Sequence, residues 1–80
     1  MIDWNNLGYS YHLDGQNVRA IDTYERALQI NSKEVVLLNN LAYAYHSIGE
    51  IENALKACKR GLEIDQNYEK LVKLKDKLLK

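Results

Sequence analysis

Eighty residues carrying 11 basic and 11 acidic side chains make one small domain with no net charge at neutral pH. That balance leaves no overall field to draw the chain to nucleic acid or to an anionic membrane, and apolar runs such as Val35 to Leu38 are far too short to span a bilayer. The lone cysteine, Cys58, excludes an intramolecular disulfide and fits a reducing, cytoplasmic compartment.

The opening MIDWNN has neither a basic nor an apolar stretch, so no signal peptide is expected. Trp4, Leu7, Gly8 and Tyr11 then recur at helical spacing and predict a first helix, with Leu7 filling the core. Asp14-Gly15 stops it, glycine supplying the left-handed turn. A second helix starts at Gln16 or Asn17 and buries Ala20, Ile21, Tyr24, Ala27 and Leu28. Asn31 and Glu34 have the spacing of a capping box for a third helix, from about Glu34 to Ser47. Gly49 marks the next turn, and a fourth helix follows from about Ile51 to Glu63. Asp65-Gln66-Asn67 precedes a fifth helix that runs to Lys80. Its Leu71, Val72, Leu78 and Leu79 are expected to face inward, while Lys75 and Asp76 give a polar outer face that ends the stack. With no proline and this periodicity the fold class is all-α.

Shifting the chain by 34 residues superposes it on itself without a gap. Asn5, Asn6, Leu7, Tyr9, Tyr11, His12 and Gly15 meet Asn39, Asn40, Leu41, Tyr43, Tyr45, His46 and Gly49. Ala20, Arg26, Leu28 and Ile30 meet Ala54, Arg60, Leu62 and Ile64. Such a period means stacked helix pairs that bury a shared core. Small residues (Gly8, Ala20, Ala27, then Ala42, Ala54, Gly61) mark where paired helices approach, and large ones fill the space around them.

The pattern Trp4-x-x-Leu7-Gly8-x-x-Tyr11 with Ala20, Tyr24 and Ala27 resembles the tetratricopeptide repeat, and Leu38-x-x-Leu41-Ala42-x-x-Tyr45 with Ala54, Cys58 and Gly61 resembles a degenerate second copy. The chain departs from the family pattern at Ser32 and Gln66 (usually proline), at Cys58 (usually aromatic) and at Gly61 (usually alanine). The resemblance implies a single domain over 1–80: a right-handed α-solenoid with repeats at about 1–34 and 35–68 and a capping helix at about 68–80. It also implies a non-catalytic interaction module that binds a peptide or protein segment in its concave groove.

In that architecture the first helix of each pair lines the groove. The residues pointing there would be Ile2, Asn5, Asn6, Tyr9, His12 and Leu13, then Val36, Asn39, Asn40, Tyr43, His46 and Ser47, then Lys70, Lys73, Leu74, Lys77 and Lys80. The expected contacts are Asn5, Asn6, Tyr9, His12, Asn39, Asn40, Tyr43, His46, Lys70, Lys73 and Lys77. Asparagine can pair with a peptide's N–H and C=O, and tyrosine offers area plus a hydroxyl. The lysines would attract an acidic side chain or a free C-terminus. The same letters admit a structural reading, with Asn6 and Asn40 bonding between helices, Tyr9 and Tyr43 packing across the rungs, and the lysines forming a solvated face. The family's subgroup that clamps chaperone C-terminal carboxylates has its five places at Asn5, Tyr9, Asn40, Lys70 and Leu74, and only Asn40 and Lys70 agree with it.

No nucleophile–base–acid set and no glycine-rich phosphate loop is visible, so neither catalysis nor a cofactor is expected. His12 and His46 lie on adjacent rungs but lack a third ligand, and Cys58 reads as a small buried hydrophobe. The last helix, KLVKLKDKLLK, is too short a basic surface for nucleic acid, and its apolar side is needed for capping rather than for a membrane. The rival function is self-association. Two repeats are fewer than the roughly three that usually make a stable array, and the forward side of the first helix, including Ile2 and Ser10, has no predicted cover. A piece of a longer array would leave the same side open.

Overall fold

The computed structural model describes residues 3–79. It contains five helices: α1 (Trp4–Leu13), α2 (Asn17–Ile30), α3 (Val35–Ser47), α4 (Ile51–Ile64) and α5 (Glu69–Leu78). Asp3 caps α1, its carboxylate accepting from the Asn6 backbone N–H at 3.1 Å and the Asn6 side-chain amide at 2.9 Å. Gly15 and Gly49 end α1 and α3 with φ of 79° and 80°, a left-handed conformation that costs glycine nothing. The next N–H in each turn reaches back into the helix, from Gln16 to the Tyr11 carbonyl at 2.8 Å and from Glu50 to the Tyr45 carbonyl at 3.0 Å. These matching bonds repeat the same hairpin twice.

The expected capping box is not formed. Glu34 is itself the residue before α3, and its carboxylate accepts from the Asn31 side-chain amide at 3.1 Å. Asn31 Oδ1 accepts from the Lys33 N–H, so this pair braces the loop that closes α2 rather than the first turn of α3.

α3 is the central element. It packs against α2 on one side and α4 on the other, while α1 packs on α2 and touches α3, and α5 packs on α4. The core follows that order, running from Ala20, Tyr24, Ala27 and Leu28 through Leu38, Leu41, Ala42 and Ala44 to Cys58, Leu71 and Leu74. Leu7, expected in it, stays 38% exposed, because among the described residues α1 packs only on α2 and lightly on α3.

The last helix also departs from expectation. Leu71 and Leu74 are buried and Leu78 is half-buried, the spacing of a single stripe, while Val72 and Leu79 are exposed. α5 has one principal neighbour, α4, and one stripe is all that contact can cover. Leu74 is therefore a core residue, 1% exposed, and not a groove residue. Gly61 makes room for this stripe: a Cβ there would collide with Leu71 Cδ1.

Candidate functional site

α1, α3 and α5 together form one concave surface with a cavity of about 330 Å³. α1 contributes Tyr9, His12 and Leu13, α3 contributes Asn39, Asn40 and Tyr43, and α5 contributes Lys70 at the rim. Tyr24, from α2, forms part of its floor. No aspartate or glutamate lines it, and Lys70 has no carboxylate partner among the described residues. The cavity therefore carries one uncompensated positive charge beside amide and phenol groups.

The cavity walls are held by bonds between elements. Asn40 on α3 donates its side-chain amide to Asn5 Oδ1 on α1, which ties the two rungs together. His12 Nδ1–H donates to Asn17 Oδ1 at 2.6 Å, fixing the ring to the start of α2 and leaving Nε2 as its other polar atom. Tyr9 leans on that ring, with centroids 6.3 Å apart and planes tilted by 31°. Burial, reinforced by the neighbouring Tyr9, pushes the Tyr24 phenol up to about 12, so it holds its proton at neutral pH.

Of the residues expected to contact a ligand, Tyr9, His12, Asn39, Asn40, Tyr43 and Lys70 come together at this cavity. Asn39 is almost fully buried there rather than displayed. Asn5 reaches it only through Asn40, its own side facing a second hollow near Trp4, Leu37 and Glu34. Asn6 turns away to Asp3. Half-buried His46 is outside the cavity. Lys73 is paired with Glu69 at 3.3 Å one turn back, and Lys77 lies in the exposed last turn of α5. The expectations for Ile2 and Lys80 fall outside the described residues.

The sequence reading missed Tyr24 as a groove residue. It sits on the core stripe of α2, and its ring is indeed buried. The available signal was the pairing of a tyrosine with Gly8, whose missing Cβ leaves room for the Tyr24 ring against α1. Among the described residues no group of three or more histidine, cysteine, aspartate or glutamate side chains could hold a metal, and no helix is long and apolar enough to cross a membrane.

The model of the family described as tetratricopeptide repeat matches the chain twice in succession, at residues 3–34 and 35–68. The chain belongs to the tetratricopeptide-repeat family. The family is a protein-interaction fold. Among solved structures, one similar to this chain is the second tetratricopeptide domain of Spaghetti (RPAP3) bound to the HSP90 peptide SRMEEVD. It shares 26% identity and a TM-score of 0.91 over 95% of this chain and 70% of that one. Another is the second tetratricopeptide domain of human RPAP3 in complex with the HSP70 peptide SGPTIEEVD. Its identity is 27% and its TM-score 0.89, over 94% of this chain and 62% of that one. Among curated protein sequences, none matches the chain.

Proposed function

We propose that this tetratricopeptide domain is a non-catalytic interaction module that holds an extended peptide along α1, α3 and α5, with an acidic C-terminal end at Lys70. The observation that carries this reading is the charge of the cavity: Lys70 and Asn40 both line it, and no carboxylate does. An anion entering there meets a cation without an internal competitor. Asn40 and Lys70 are also the two places where this chain agrees with the carboxylate-clamping subgroup. Both structural neighbours hold peptides ending in EEVD. Tyr9, Tyr43 and His12 supply area and hydrogen bonds for the residues before the terminus. The free thiol of Cys58 suits a reducing, cytoplasmic setting.

Titration of the labelled peptide SRMEEVD against the domain tests this. Binding is expected to weaken about tenfold when the peptide's C-terminus is amidated and again in Lys70→Ala. Asn40→Ala combined with Tyr43→Ala is expected to abolish it while the melting temperature changes only modestly. Equal affinity for the amidated and free-acid peptides would remove the carboxylate from the reading.

The uncovered face of α1, with Leu7 and Ser10 exposed, favours a second reading, self-association through that face. Molar mass measured over a wide concentration range separates the two: a constant monomer mass leaves the groove as the functional surface, and a rise to a dimer makes assembly the leading role.

A further inference from the structure

A second hollow, of about 360 Å³, lies at the start of α1. Its lining is largely apolar, with half-buried Trp4, exposed Ile30 from the end of α2 and buried Leu37 from α3. Asp3 and Glu34 line it as well, and no lysine, arginine or histidine does. Both acids are exposed, and each accepts from a neutral amide, Asp3 from Asn6 and Glu34 from Asn31. Neither has an ion-pair partner among the described residues, so both charges stay uncompensated. Lys33, adjacent in sequence to Glu34, lines a different hollow with Arg60 and Glu63. The packing of a repeat does not require these acids, because 34 residues further on the same places hold Leu37 and Tyr68.

This hollow and the groove cavity are opposite in sign. The groove cavity has one lysine and no carboxylate in its lining, and this one has two carboxylates and no base. They also adjoin, since Asn40 lines the first, Asn5 lines the second, and the two side chains bond each other. We propose that the hollow beside Trp4 is a subsite for a long basic side chain, arginine or lysine, carried by the peptide several residues before its acidic end. Such a side chain has an apolar stem, which Trp4, Ile30 and Leu37 can cover, and a cation, which an indole and two carboxylates attract. The attraction does not require direct contact, because charges act over several ångströms. An acidic side chain is repelled there, and an aliphatic one desolvates the carboxylates without compensation. α1 sets the spacing. Trp4 and Asn5 belong to its first turn, and Tyr9, His12 and Leu13 to its later turns, so the helical rise separates the two linings by roughly 10 Å. An extended chain covers that distance in about three residues, and a long side chain adds reach. The path of the peptide rests on the groove reading above; the charge and lining of the hollow do not.

The chain's one tryptophan lines this hollow, so its fluorescence reports occupancy there independently of Lys70. The test titrates the domain with SRMEEVD, whose arginine stands five residues before the terminal aspartate, and with SQMEEVD. SQMEEVD is expected to bind about fivefold more weakly and to change the Trp4 emission less. Asp3→Asn and Glu34→Gln together keep oxygens that accept from Asn6 and Asn31 but remove both charges. In that variant, its fold checked by circular dichroism, the two peptides are expected to bind alike. SGPTIEEVD, which has no basic residue, is expected to bind the variant no more weakly than the unaltered domain. Equal binding of SRMEEVD and SQMEEVD by the unaltered domain, or a difference that survives in the variant, overturns the subsite and leaves the terminus reading in place. Where SRMEEVD itself does not bind, ethylguanidinium and its neutral counterpart ethylurea decide, read from the Trp4 emission and indole N–H resonance. A preference for ethylguanidinium that the variant loses means that the terminus reading fails and the subsite stands; no preference overturns both. Trp4 emission that changes with protein concentration alone, together with a rising molar mass, assigns the hollow to a second copy of the chain and overturns the peptide subsite.

Discussion

Leu7 and Leu41 stand at the same place in successive repeats, yet Leu7 is 38% exposed and Leu41 1%. Ser10 and Ala44 differ in the same direction, the first exposed and the second fully buried. α3 lies between α2 and α4, whereas among the described residues α1 has α2 on one flank and only a light contact with α3. In a stacked fold the burial of a letter is set by what precedes it in the stack, and an identical letter becomes core in one unit and surface in the other. Leu41→Ala should therefore cost about 2–5 kcal/mol in chemical denaturation, and Leu7→Ala less than about 1 kcal/mol. Equal losses would mean that the outer face of α1 is covered in solution, which would bring self-association to the fore.

The repeats differ again where their helices cross. In the first, Gly8 faces Tyr24; in the second, the corresponding residues are Ala42 and Cys58, both fully buried. A glycine under a large ring and an alanine beside a thiol are two ways of filling similar space. Only the first places its large residue, Tyr24, at the lining of the groove cavity. Gly8→Ala should break this arrangement, because the Tyr24 ring is rigid and enclosed. A loss of about 1–3 kcal/mol is expected, measured by thermal unfolding. Gly61→Ala provides the contrast. There the obstructing atom is a terminal methyl of Leu71, and alanine regains about 1 kcal/mol of helix propensity, so the net change should be much smaller.

These crossings also show what the sequence could and could not disclose. The period of 34 residues, the glycine turns at 15 and 49, and the five helices were legible, because local periodicity and backbone conformation produce them. Helix faces set by a single neighbour were harder. Extending the register of α3 into α5 makes Leu74 a groove residue and Val72 and Leu79 core, but that register assumes a helix on each flank, and among the described residues α5 has only α4 as a principal neighbour. For the groove, the letters point to α1 and α3, and residues of both line the cavity. They did not distinguish the asparagines. Asn5 and Asn40 bond each other, Asn6 caps back onto Asp3, and Asn39 is buried beneath. Four asparagines in two identical pairs have four different surroundings, and only the tertiary arrangement separates them.

The Asn5–Asn40 bond is the direct link between the rungs, and a double-mutant cycle isolates it. Asn5→Ala and Asn40→Ala should each cost about 1 kcal/mol, and the double variant should cost less than their sum by about 0.5–1 kcal/mol. Additive losses would show that the rungs are held by packing alone. Asn6→Ala, which disturbs only the Asp3 contact at the exposed start of α1, should show no coupling to Asn40.

The smallest expected effect compares Tyr24 and Cys58 by their protons. Burial raises both: the Tyr24 phenol from its usual 10.0 to about 12, and the Cys58 thiol above its usual 9.0, with Lys75 pulling the latter partly back. For each group the folded state holds the proton more tightly than the unfolded chain. The stability associated with each is thus fully present below the ordinary value and declines as pH rises through the raised one. Unfolding free energy should begin to fall above about pH 9 through Cys58 and fall further above about pH 10 through Tyr24, as well as Tyr45, whose phenol is raised chiefly by burial. Cys58→Ala should delay the onset and Tyr24→Phe should flatten the higher segment, both read from denaturation curves at stepped alkaline pH. If Tyr24→Phe leaves the alkaline slope unchanged, the hydroxyl is reaching water through the groove. The floor of the cavity would then be wetter than its burial implies.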